Sequence, residues 1–161
     1  MKAAVVYESL WGNTAAIARA IAEGIGSDAT ALSTAEATPA ALAGVDLIVA
    51  GAPLLGFALP TEAMRGSIKS NSANPPADLS APSMRSWLEK LPAGTGRCAG
   101  FETAIWWSPG SSAKTIAKSL EALGYRRAAQ PKRFIVTDRF GPLRDGELDG
   151  AKAWGASLAS E

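Results

Sequence analysis

Val5-Val6-Tyr7-Glu8-Ser9-Leu10-Trp11-Gly12-Asn13-Thr14 runs on without a break into Ala15-Ala16-Ile17-Ala18-Arg19-Ala20-Ile21-Ala22-Glu23. A short apolar strand ends, a loop of small and polar residues follows, and a helix begins with Ile17, Ile21 and Ile25 on one face. That order gathers backbone N–H groups, the Ser9 and Thr14 hydroxyls and the positive end of a helix dipole around one point. Such a point is an anion site suited to a phosphate. The other reading of the same residues is an ordinary helix start capped by Asn13 or Thr14. The loop has neither the GK[ST] ending of a Walker A motif nor a GxGxxG pattern, and it contains no basic residue. Hydrogen bonds and a dipole alone suit a terminal monophosphate better than a triphosphate with magnesium.

The 161 residues fit a single domain, 1–161, large enough to bury a core, and the 47% hydrophobic content excludes a disordered class. Sixteen Lys plus Arg against fifteen Asp plus Glu leave a net charge of +1, which argues against a nucleic-acid partner. Arg126, Arg127, Lys132 and Arg133 form a small basic patch, read as a solvated edge. The chain has no histidine, which removes His triads and His metal ligands, and its one cysteine, Cys98, reads as a small buried hydrophobe. The apolar runs at Ala3–Tyr7 and Val45–Leu55 are too short for a signal peptide core or a membrane span, so a cytoplasmic protein without membrane insertion is expected.

Further along, strand and helix alternate. Strands are predicted at Ala3–Tyr7, Ala29–Ser33, Asp46–Gly51, Arg97–Thr103 (or as far as Trp106) and Arg133–Val136. Helices are predicted at Thr14–Ile25, Thr38–Leu42, Ser83–Leu91, Ser112–Leu123 and Leu148–Leu158, and 52–82 reads as a long irregular region. Five alternations predict an α/β fold with a five-stranded parallel sheet covered on both faces. A phosphate loop after the first strand predicts the order 2-1-3-4-5, with ligand-facing loops after strands one, three and four. A receiver domain shares this topology but needs an aspartate ending the third strand, where Ala50-Gly51-Ala52 stands.

The loop Ser9-Leu10-Trp11-Gly12-Asn13-Thr14 resembles the phosphate-binding loop of flavodoxin-like proteins. Gly51-Ala52-Pro53-Leu54-Leu55-Gly56-Phe57 is similar to their GxP loop. The ending Phe134-Ile135-Val136-Thr137, with Gly141-Pro142-Leu143-Arg144-Asp145-Gly146-Glu147-Leu148, looks like that of short-chain, actinobacterial-type members. The resemblance covers essentially the whole chain and implies a flavodoxin-like three-layer sandwich. It implies FMN as cofactor, held by Ser9, Leu10, Trp11, Gly12, Asn13 and Thr14 at the phosphate, with Pro53, Leu54, Leu55, Gly56, Phe57, Thr103, Trp106 and Trp107 around the ring. One of the two adjacent tryptophans facing the flavin, or one in the core and the other anchoring a loop, are both open; so are covering the ribityl chain and packing on the loop for Trp11.

The chain departs from the family in three ways. Trp11 stands where many members have a hydroxyl, the net charge is not strongly acidic, and the fourth-strand loop, residues 102–110, lacks the usual acidic, tyrosine-bearing form. Glu8 precedes the phosphate loop and is expected to point away from it or to reach a neighbouring backbone N–H. The implied function is electron transfer between a reductase and an acceptor protein. The alternatives are an FMN-dependent quinone or protoporphyrinogen-type reductase and a binding module that has lost its flavin.

Overall fold

The computed structural model describes residues 1–160. Its strands are β1 (Ala3–Tyr7), β2 (Ala29–Ser33), β3 (Leu47–Pro53), β4 (Arg97–Ala104), β5 (Arg126–Arg127) and β6 (Lys132–Ile135). All pair in parallel in one sheet of order β2-β1-β3-β4-β5, with β6 also alongside β4. This is the predicted order. The predicted single fifth strand is instead two pieces: β5 pairs with Arg97 and Cys98, and β6 with Phe101 to Ala104. Pro131 stands between them and has no N–H to donate to a ladder.

The helices are α1 (Asn13–Ile25), α2 (Glu62–Ser70), α3 (Met84–Lys90), α4 (Ser112–Ala122) and α5 (Glu147–Ala159). Strand residues alternate between two cores, as a period of two requires. Ala3, Val5, Leu47, Val49 and Phe101 pack with Ile17, Ile21 and Leu158 from α1 and α5. Ala4, Val6, Ile48 and Ala50 pack with Met84, Trp87, Ile116 and Leu120 from α3 and α4. The sheet is therefore the middle of three layers. Glycines let α1 and α5 approach closely: a Cβ at Gly24 would lie 1.9 Å from the Lys152 carbonyl oxygen, and one at Gly155 2.2 Å from that of Ile21.

Two predicted segments differ. Thr38–Leu42 forms turns rather than a helix, although Thr38 Oγ1 accepts from Ala41 N as a cap would. The segment is too short, and Gly44 follows too soon, for a helix nucleus to propagate. Conversely, the region read as irregular contains α2, capped by Thr61, whose hydroxyl accepts from Met64 N. Its Met64 and Ile68, four residues apart, face a small cluster with Leu10 and Leu55. Among the described residues no helix is long and apolar enough to cross a membrane.

Candidate functional site

At the carboxyl ends of the strands the loops after β1, β3 and β4 converge, and the segment after β6 joins them. They enclose a groove lined by Leu10, Trp11, Asn13, Thr14, Pro53, Leu54, Leu55, Thr103, Ala104, Ile105, Ser108, Val136 and Arg139. Ser9 and Gly12 lie on the other side of the first loop, in a depression with Tyr7, Arg19 and Ser33. Gly56, Phe57, Trp106 and Trp107 are exposed and do not line the groove.

Among the described residues, no side chain caps the start of the helix that follows the first loop. Gly12 takes the cap position at φ +92°, a left-handed conformation that favours glycine. A Cβ on Gly12 would meet nothing within 4 Å among the described residues. Asn13 and Thr14 are engaged elsewhere: Asn13 Nδ2 donates to the Phe140 carbonyl at 3.1 Å, and Thr14 Oγ1 and Thr103 Oγ1 share a buried hydrogen bond of 2.8 Å. Ser9 Oγ accepts from Ala15 N. The N–H groups of Leu10, Trp11, Gly12, Asn13 and Thr14 find no acceptor among the described residues. Trp11 packs edge-to-face on Phe140, with centroids 4.7 Å apart, and its Nε1 donates to the Pro75 carbonyl.

Glu8 reaches a backbone N–H, but a distant one, that of Met84, rather than the neighbouring one expected. It is buried, accepts from Met84 N at 2.9 Å and pairs with Arg65 at 2.8 Å. Burial raises its pKa above the ordinary value; the Met84 N–H and Arg65 pull it partly back. Arg65 also donates to the carbonyls of Ala81 and Leu79. One buried pair thus ties α2 and segment 79–84 to the end of β1.

The loop after β3 turns sharply. Leu55 and Ala58 exchange both backbone hydrogen bonds around Gly56 and Phe57, which have φ of +52° and +66°. Positive φ at both central residues is the type I′ turn, normal for Gly56 and strained for Phe57. Phe57 is nevertheless 58% exposed, and its carbonyl lies against Gly110, so this turn touches the loop after β4.

In that second loop, Trp106 and Trp107 lie in a turn, where strand alternation does not apply, and are 72% and 59% exposed. Neither is core. Arg133, expected at a solvated edge, instead holds this loop. Its Nε donates to buried Glu102 at 2.5 Å, and its terminal nitrogens donate to the carbonyls of Ile105, Trp106, Ser108 and Gly110. Arg127 pairs with Glu121.

Arg139, in the segment after β6, adds a cation that sequence reading missed. Its guanidinium lies 5.4 Å over the Phe140 ring and has no carboxylate partner among the described residues. The rule that ligands sit at the carboxyl ends of strands would have found it had it been applied to the last strand too.

No protein-family model and no curated protein matches the chain. Solved structures do. A flavodoxin from the domain Archaea is 21% identical with a TM-score of 0.68, the match covering 99% of this chain and 97% of that one. Oxidised flavodoxin 1 from Bacillus cereus is 16% identical with a TM-score of 0.70, covering 100% and 99%. The Flv1 flavodiiron core from Synechocystis sp. PCC6803 is 22% identical with a TM-score of 0.64, covering 99% of this chain and 35% of that one. With the strand order and the flanking helices, these matches make the architecture of this chain the flavodoxin-like α/β fold.

Proposed function

We propose that the groove binds FMN noncovalently and that the protein carries electrons between a reductase and an acceptor protein in the cytoplasm. The observation that carries this reading is the run of unpaired N–H groups from Leu10 to Thr14 at the start of α1, where backbone donors and the helix dipole favour an anion. This donor set suits a phosphate: it is uncharged and consecutive. Arg139 would add charge from the groove wall. The flavin ring would be bordered by the turn at Leu54–Phe57 and the loop carrying Trp106 and Trp107, which together offer apolar surface and exposed aromatic faces.

FMN supplies the redox chemistry; the chain supplies binding, orientation and partial exclusion of water. Leu10, Leu55 and Ile68 form a small apolar cluster at the first loop, which keeps the loops after β1 and β3 from parting. The Thr14–Thr103 bond ties the first loop to β4. The exposed Phe57, Trp106 and Trp107 leave an edge open to a partner's redox group.

The test is a titration of purified protein with FMN and with riboflavin, followed by visible absorption and flavin fluorescence. FMN should bind at least tenfold tighter than riboflavin. Equal affinity would remove the phosphate site from the reading, and no binding of either would remove the flavin. Sustained quinone turnover with NAD(P)H and no added reductase would make the protein a reductase rather than a carrier.

A further inference from the structure

We propose that Arg133 is a positioning residue for the bound ring: it turns the carbonyls of loop 105–110 inward and thereby presents the N–H groups of Trp106 and Trp107 to a ligand edge that bears hydrogen-bond acceptors. The proposal rests on the flavin reading above. One guanidinium donates to four carbonyls of this loop, at 3.2 Å to Ile105, 3.4 Å to Trp106, 2.8 Å to Ser108 and 2.9 Å to Gly110. The loop's own backbone gives it little support. Among the described residues its one internal hydrogen bond runs from Ser108 N to Ile105 O.

The guanidinium is itself fixed. Its Nε is bonded to Glu102 Oε2, and Glu102 is buried, with Oε1 taken by Ser111 Oγ and Ala113 N. The carboxylate cannot swing away without stranding those two donors, so the planar fork of Arg133 keeps one orientation.

The consequence for the loop follows from peptide geometry. In a trans peptide the carbonyl and the next residue's N–H point in opposite directions. With the Ile105 and Trp106 carbonyls drawn to Arg133, the N–H groups of Trp106 and Trp107 point away from it, and neither finds an acceptor among the described residues. After Ser108 comes Pro109, which has no N–H to satisfy. The loop is thus a pair of donors backed by a cation already neutralised by Glu102. It selects a flat ring whose edge carries carbonyl oxygens and disfavours one whose edge carries only donors.

The experiment uses Arg133→Lys and the double variant Glu102→Gln/Arg133→Gln, which leaves no lone buried charge. Amide NMR follows Gly12, Trp106 and Trp107 while FMN or inorganic phosphate is added. In the wild type phosphate should move Gly12 alone, and FMN should move all three and slow exchange at both tryptophan amides. In the double variant the phosphate response should persist, the FMN Kd should rise on the order of tenfold, the worth of two ordinary hydrogen bonds, and the tryptophan protection should vanish. Arg133→Lys keeps the charge and loses the fork; it should show the same loss in smaller measure, and it decides the matter if the double variant does not fold. A folded variant with wild-type FMN affinity and wild-type tryptophan shifts would show that Arg133 only supports the fold. A wild type whose amides ignore FMN while Gly12 responds to phosphate would overturn the flavin reading, and this proposal with it.

Discussion

Replacing Arg65 by methionine tests the central electrostatic contact of the fold. Arg65 and Glu8 are 6% and 2% exposed, and their charges meet at 2.8 Å. Methionine fills much of the same volume but leaves Glu8 with the Met84 N–H alone and strips the Ala81 carbonyl of its 2.6 Å donor. Breaking a buried pair from one side costs about 3–5 kcal/mol. For a chain of this size that lowers Tm by about 6–20 °C. Urea denaturation of the wild type, Arg65→Met, Glu8→Gln and the double variant measures it. The double variant should be more stable than the sum of the single losses by about 2 kcal/mol, because the second change removes the stranded charge. The deficit also depends on pH. Burial holds the Glu8 carboxyl above its ordinary value of 4.5, and removing Arg65 takes away one of the influences that lower it. A carboxyl whose folded pKa is raised binds its proton more tightly in the folded state. Its contribution is present below the unfolded value and lost as pH rises through the folded one. The Arg65→Met deficit should therefore be largest at pH 8 and shrink toward pH 5. A loss under about 1 kcal/mol that is also flat with pH would refute the reasoning, since it would mean that Glu8 is hydrated in the folded protein.

Arg139→Gln should weaken FMN binding about two- to tenfold and flatten its salt dependence while leaving riboflavin unchanged, because an exposed cation acts through a screened field; isothermal titration at two salt concentrations measures both. Phe57→Gly should raise stability in urea by about 1 kcal/mol, since the residue is held at φ +66° and is exposed, whereas Phe57→Ala should bring no such gain. Cys98 is fully buried and its pKa is pushed up to about 11, so at pH 8 a thiol reagent should label it only as fast as the protein opens, and promptly in denaturant.

The features legible in the sequence were those encoded locally. β1 and β3 are short apolar runs because both their faces are covered, and α1 and α4 carry apolar residues at helical spacing with clear ends. α2 escaped because Gly66 and the flanking prolines mask a helix whose apolar face is only Met64 and Ile68; the Pro60-Thr61-Glu62 start was the signal available. In the site, the position of the first loop could be read, but its wiring could not. Glu8 finds Arg65 57 positions away, and Glu102 finds Arg133 31 away, so each pair exists only once the sheet order is set. The exposure of Trp106 and Trp107 follows from a turn that a strand-based reading of their alternation could not anticipate.

The break between β5 and β6 bears on how the molecule behaves in a crowd. These two pieces form the outer border of the sheet beyond β4, where a complete strand would offer a continuous ladder of free backbone groups to any neighbouring chain. Here the border is cut by Pro131 and carries Arg126, Arg127 and Lys132, all exposed. A strand arriving from another molecule would find a register that fails after two residues, a missing donor, and cations to desolvate. The same irregularity that shortens the sheet guards it against growing by edge-to-edge pairing.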